Sequence, residues 1–334
     1  MKTRKIKILI TGGAGFIGSN LVEHFLNKGY LVVCLDNLST GFLKNIENFV
    51  GNSAFTFIEG DIRDTEICRK AVRGCQYVLH HAALGSVPRS IEDPANTNSV
   101  NIDGFMNMLI AARDENVNRF IYAASSSTYG DSENLPKVEH IIGKPISPYA
   151  VTKYVNELYA DVFSRIYGME CIGLRYFNVF GKNQSPAGAY AAVIPLWVKA
   201  LIDHQSPIIN GDGSFSRDFT YIENVIHANE RALFTSSKKL IEPGKDYIHQ
   251  VFNIAFGEKT KLIELFNTLK ENLAKEDPEI YKIEPIIGPQ RVGDIPHSLA
   301  NIAKARTILG YEPKFNAQKG FEMACKWYYE NLKS

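Results

Sequence analysis

Apolar residues fall into short runs separated by longer stretches in which they recur every three or four positions. The runs Ile6–Ile10, Leu31–Leu35, Phe55–Ile58, Tyr77–His80, Phe120–Ala124 and Cys171–Arg175 have the length of buried strands. Between the first two, Ile17, Leu21 and Phe25 step by four and Gly29 closes the pattern, which predicts a helix over Phe16–Asn27. Asn98–Glu115 also reads as helix. This alternation predicts an α/β fold, a Rossmann-type doubly wound parallel sheet with helices on both faces. After Asn178 the rhythm loosens. Asn210-Gly211-Asp212-Gly213 reads as a hairpin turn, and Val251–Ala255 as a strand that returns to the sheet. The expected division is a first lobe of 1–178 with a returning segment at about 246–274, and a smaller C-terminal lobe of 179–245 and 275–334. Ligand is expected between them, outside the strand ends.

The stretch Thr11-Gly12-Gly13-Ala14-Gly15-Phe16-Ile17-Gly18 joins the first strand to the first helix. Glycine allows the sharp turn, and a phosphate can approach its backbone without meeting a Cβ. Gly18 lets helix and strand pack closely. The second strand ends in Asp36, where a carboxylate can take both hydroxyls of an adenine ribose. Asp36 would repel a 2′-phosphate, and Asn37-Leu38-Ser39 supplies no arginine to neutralise one, so the expected cofactor is NAD rather than NADP.

Composition narrows the partners. The 334 residues are 45% hydrophobic and 22% charged, with a net charge of +1. That is enough for a large core, and it supplies no field to gather nucleic acid or an anionic membrane. The basic start Met1–Lys7 precedes an apolar run only a strand long, so neither a signal peptide nor a membrane span is expected, and a cytoplasmic location is. Cys34, Cys68, Cys75, Cys171 and Cys325 lack metal-like spacing and read as small core residues.

Several strand ends carry candidate chemistry. Asp61, after the third strand, suits an adenine edge, accepting the exocyclic amine, and equally suits a solvated turn. His81 has no partner at ligand spacing, so no metal is expected, and small Ala82 and Ala83 let a cofactor pass closely. Tyr149 and Lys153, four apart after Pro148, share one face of a helix. They follow a strand ending in Ser125-Ser126-Ser127-Thr128-Tyr129-Gly130, whose serines could equally satisfy their own turn. Tyr329 and Lys333 have the same spacing but follow no sheet strand, and they read as a surface helix end.

The glycine turn, Asp36, the serine run and Tyr149/Lys153 together resemble the extended short-chain dehydrogenase/reductase family over essentially the whole chain. Leu174-Arg175-Tyr176-Phe177-Asn178, Ser216-Arg217-Asp218-Phe219 and Arg291-Val292-Gly293-Asp294 resemble its nucleotide-sugar branch. Ala83–Ser90 and Gly188–Pro195 are similar to the UDP-hexose 4-epimerases of the UDP-N-acetylglucosamine kind. Gly85 stands where some of these enzymes have a lysine.

The resemblance implies an NAD-dependent isomerase. Tyr149 as phenolate would take the proton of the sugar 4-hydroxyl while hydride passes to the cofactor and returns to the other face. Lys153 would lower the tyrosine pKa and hold the nicotinamide ribose, and Ser125 would bond the 4-oxygen. It adds Phe16, Ile17, Asn37, Ser39, Thr40, Gly41, Ile62, Asn101 and Phe177 to Gly12, Gly15, Asp36, Asp61, His81, Ala82 and Ala83 as cofactor contacts. Ser86 and Ser126 would line the sugar site. Asn178, Arg217 and Arg291 would meet the diphosphate and ribose end, Asp294 the uridine ribose, and Ala192, Val193, Trp197 and Asn210 the uracil. Ser298 matches a position where a bulky tyrosine goes with glucose-only enzymes and a small residue with those that admit N-acetyl sugars.

A homodimer through the helices at about 98–115 and 149–167 is a further expectation. A dehydratase would carry Asp-Glu where Ser126-Ser127 stands. A uronate-specific epimerase or decarboxylase would need a cation such as Arg89 or Lys182 at the sugar C6. A non-catalytic dinucleotide-sensing scaffold would have a broken Tyr/Lys/Ser set.

Overall fold

The computed structural model describes residues 5–187, 191–290 and 295–333. Seven parallel strands form the central sheet: β1 (Lys7–Thr11), β2 (Leu31–Asp36), β3 (Phe55–Glu59), β4 (Tyr77–His80), β5 (Arg119–Ser125), β6 (Cys171–Tyr176) and His249–Ile254. Their order is β3-β2-β1-β4-β5-β6, with His249–Ile254 outside β6. The returning strand thus joins the sheet as its pattern predicts. The order reverses between β1 and β4, which opens a crevice at the C-terminal strand ends.

Both faces of the sheet are covered, which is why its strands read as unbroken apolar runs. Helix α1 (Phe16–Asn27) and the Ile222–Phe234 helix lie on one face, where Ile8, Ile10, Phe25, Ile121 and Leu174 are buried. Helix α2 (Thr65–Val72) and the Gly104–Asp114 and Pro148–Tyr167 helices lie on the other, over Leu9, Val33, Val78, Phe120 and Tyr122. Alternate residues of each strand feed opposite cores, as the two-residue strand period requires. All five cysteines are buried and free.

Three expectations change. The helix expected over Asn98–Glu115 is Pro94–Asn98 and Gly104–Asp114 joined through a wider π turn at Ser99–Asp103. The Ile222–Phe234 helix, placed in the smaller lobe by its sequence position, packs against α1, β5 and β6, because its buried stripe includes Ile222, Val225, Ala228 and Ala232. Asn210–Gly213 turns on left-handed Gly211 and Gly213, but it joins no hairpin. Ile208–Asn210 pairs in parallel with Ile286–Gly288, and Ser216–Arg217 pairs antiparallel with Thr260–Lys261. Two left-handed glycines separated by Asp212 send the chain onward instead of back along itself.

Candidate active site

The turn from β1 into α1 is shaped by close backbone approach. Gly12 has φ +68°, and a Cβ there would lie 2.7 Å from the Ala82 nitrogen. At Gly18 a Cβ would lie 2.0 Å from the Gly12 oxygen. Gly15, the N-cap of α1, would set a Cβ only against the Gly12 oxygen at 3.1 Å, so the cavity side of the turn is open. No side chain caps this helix, and no acidic residue stands in its first turn. Its first amides therefore present partial positive charge to the cavity, which suits a diphosphate.

Asp36 closes β2 at 7% exposure. Its carboxylate accepts from the amides of Ala14 (2.9 Å) and Leu38 (2.8 Å). Burial pushes its pKa up, and these amide bonds act in the other direction. The remaining lone pairs are available to ribose hydroxyls. Gly41 lies behind the turn, where a Cβ would approach the Ala14 carbonyl carbon to 2.9 Å. Asp61 pairs with Arg63 at 2.7 Å and accepts from Asn37 at 2.9 Å. The Arg63 bond, foremost, holds its pKa at about 2. The sequence reading missed Arg63, which fixes the carboxylate's orientation.

At the other end, Ser147 caps the Pro148–Tyr167 helix by accepting from Ala150 N at 3.1 Å, and Pro148 fills its first turn. Tyr149 is half-buried and lines the cavity together with Ser125 of β5. Burial raises the Tyr149 pKa, and Ser125 opposes that rise. Lys153, 5% exposed, donates to the Ala123 carbonyl at 2.9 Å, and its Nζ is 5.9 Å from the Tyr149 ring centre. Burial brings its pKa down to about 8.

His81 is stacked on Tyr176, whose hydroxyl lies 2.9 Å from Nε2 and accepts from Asn229. Burial holds His81 down at about 3, hence neutral. Thr11 Oγ1 accepts from the amides of His81 and Ala82, fixing the β4 end against β1. Asn101, in the π turn, brackets Leu84 N and O and donates to Thr152, so it ties the loop after β4 to the Tyr149 helix.

These groups meet in one cavity of about 840 Å³. Gly12, Gly15, Phe16, Ile17, Asp36, Asn37, Ser39, Thr40, Asp61, Ile62, His81, Ala82 and Ala83 line one end. Ser86, Ser125, Ser126, Tyr149, Lys153, Asn178 and Ala192 line the other, with Arg89 on its wall. A long polar dinucleotide fits such a cradle: a carboxylate at one end, bare helix amides in the middle, a buried cation at the other.

Not every expected contact reaches the wall. Phe177 is fully buried in the core, and Asn101 and Gly41 act from behind the lining. Val193 and Trp197 lie on the Val193–Ile202 helix away from the lining. Trp197 is a core residue, its indole donating to the Ile208 carbonyl and its ring edge-on to Phe266. Asn210 ends a strand outside the lining. Arg217 donates to the Ser216 and Pro296 carbonyls, and Ser298 N donates to Ser216 O, so these residues form a strip of their own outside the cavity lining. Arg291 and Asp294 lie outside the described residues, as do Gly188–Tyr190. Lys182 pairs with Glu23 and is not on the cavity wall. Tyr329 and Lys333 meet at an exposed helix end.

The NAD dependent epimerase/dehydratase family model matches residues 8–255. A putative UDP-glucose 4-epimerase of Methanocaldococcus jannaschii is 34% identical over 326 residues, 97% of this chain and 99% of that protein. The structure of a UDP-N-acetylglucosamine 4-epimerase from Methanobrevibacter ruminantium, in complex with UDP-N-acetylmuramic acid, superposes with a TM-score of 0.87 at 34% identity over 98% of this chain and 99% of that one. A UDP-glucuronic acid 4-epimerase from Bacillus cereus, with UDP-glucuronic acid and NAD bound, gives a TM-score of 0.84 at 29% identity over 97% and 99%.

Proposed function

The chain belongs to the NAD dependent epimerase/dehydratase family as an NAD-using enzyme of the UDP-hexose 4-epimerase type, and from that premise we propose that it preferentially interconverts UDP-N-acetylglucosamine and UDP-N-acetylgalactosamine. The observation that carries the chemistry is the meeting of Tyr149, Lys153 and Ser125 on one cavity wall, with the bare first turn of α1 on the same cavity. NAD, when bound, would supply the hydride acceptor and donor for C4. Tyr149 removes the 4-hydroxyl proton and later returns it, so protons balance over the cycle. Lys153 favours the phenolate electrostatically, and Ser125 favours it by donating its proton to the Tyr149 oxygen. Asp36, the α1 amides and Asp61 would hold the dinucleotide.

The choice of an acetylated sugar rests on Ser298. The intermediate ketone must turn over in the site, so its 2-acetamido group sweeps a volume that a phenol ring would occupy. A serine beside the Arg217 strip leaves that path open. The first lobe, 1–178 with 246–274 and the Ile222–Phe234 helix that packs on its sheet, and the smaller lobe from the rest of 179–245 and 275–334 would enclose the sugar nucleotide. Exposed Val151, Leu158, Tyr159 and Ile166 on the Tyr149 helix support a homodimer. Among the described residues no helix is long and apolar enough to cross a membrane.

The test is kcat/KM for both acetylated and both plain UDP-hexoses, on wild type and on Ser298→Tyr. The acetylated pair should be favoured in wild type, within the ~10–200-fold that pocket volume alone supplies. Ser298→Tyr should suppress it selectively, and equal loss for both pairs refutes the pocket role. Arg89 on the cavity wall supports a second reading, a UDP-uronate substrate, and UDP-glucuronate in the same assay decides between them.

A further inference from the structure

Ser125 Oγ receives two hydrogen bonds from a single residue. Ser127 donates its amide N–H at 3.2 Å and its hydroxyl at 2.9 Å. A serine hydroxyl has one proton and two lone pairs. With both lone pairs taken, Ser125 has only its proton left to offer, and Tyr149 lines the same cavity beside it.

We propose that Ser127 is a positioning residue that makes Ser125 a one-way hydrogen-bond donor to the Tyr149 oxygen and so biases that tyrosine toward phenolate. An unconstrained serine would stabilise both forms, accepting from the phenol or donating to the phenolate. Blocking acceptance removes support for the neutral form and leaves support for the anion. The arrangement follows from the tight 3-10 turn Ser126–Tyr129 after β5, which folds the third serine back over the first. Ser126 lines the cavity and Ser127 does not, so Ser127 acts through Ser125.

Other ionisable groups line the cavity around Tyr149. Lys153 lies one turn along the same helix, His81 and Tyr176 lie at the ends of β4 and β6, and Arg89 stands on the Val87–Glu92 helix. His81 is neutral at about 3 and Tyr176 is pushed well up by burial. Of these, Lys153, at about 8, titrates nearest neutrality.

The proposal rests on the reading of Tyr149 as the base, and its test reads that residue without a sugar. Phenolate absorbance of the NAD-loaded protein is titrated in wild type, Ser127→Ala and Ser127→Thr, each referenced to the same background carrying Tyr149→Phe. Ser127→Ala should raise the Tyr149 midpoint by about half to one pH unit, and Ser127→Thr should restore it. With UDP-sugar, Ser127→Ala should lower kcat near neutrality ~3–10-fold with KM unchanged. In a Ser125→Ala background, Ser127→Ala should add nothing. An unmoved midpoint, or a further loss in the Ser125→Ala background, overturns the proposal. A moved midpoint in a protein that forms no epimer would leave it standing and overturn the functional reading instead.

Discussion

Replacing Lys153 by methionine removes a buried positive charge 5.9 Å from the Tyr149 ring centre and keeps most of the side-chain volume. Taking that distance as the charge separation, two unit charges at an effective dielectric of 20 attract by about 3 kcal/mol. That energy corresponds to ~2 pH units in the tyrosine's titration. Lys153→Met should therefore raise the Tyr149 pKa by ~2 units and lower the phenolate fraction near neutrality ~100-fold. The sign follows from which form the ammonium favours: it stabilises the anion, so its loss moves the activity rise to higher pH. The assay is the initial rate of C4 epimer formation from a UDP-sugar across the pH range, with NAD content measured in each sample. The variant should fall furthest at low pH and recover as pH rises toward the shifted midpoint. A variant with the wild-type profile would refute the electrostatic argument. A loss equal at every pH would assign Lys153 to holding NAD alone.

Tyr149→Phe should cost ~10²–10⁴-fold in turnover while UDP-sugar binding, measured by calorimetry, stays close to wild type. Tyr329→Phe, at the exposed pair with the same spacing, should change neither, and loss of activity in that control would mean the wrong pair is assigned. Gly18→Ala drives a Cβ to 2.0 Å from the Gly12 oxygen and 2.7 Å from the Gly13 Cα, so backbone must move. It should destabilise the protein by about 1–3 kcal/mol in thermal unfolding and reduce co-purified NAD, with Gly15→Ala milder on stability. Full NAD content and an unchanged Tm in Gly18→Ala would contradict the close-packing role.

The chain's local patterns carried the fold. Apolar runs of strand length cannot stay in water, and helices with one apolar stripe must cover them, so Ile6–Ile10 through Cys171–Arg175 could be read directly as a doubly wound sheet. The turn at one side of the cavity was equally legible, because Gly12, Gly15 and Gly18 shape it through backbone geometry within a few residues, and Asp36 brings its carboxylate there as the last residue of the next strand. The Tyr149/Lys153 pair was visible as helical spacing, and its separation from Tyr329/Lys333 came from what precedes each pair.

Contacts between distant segments were beyond that reading. Trp197 looks like a ligand-facing aromatic until Phe266 and the Ile208 carbonyl are brought to it. Asn210–Gly213 has hairpin residues, yet its flanking strands find partners at 286–288 and 260–261. Arg63 orienting Asp61, Asn101 bracketing Leu84, and Ser127 saturating Ser125 are hydrogen bonds, and a residue's type states only its capacity to make them. Periodicity measures the free energy of leaving water, which each segment possesses alone. Which donor meets which acceptor depends on positions that exist only once the segments have packed, and there the tertiary structure decided.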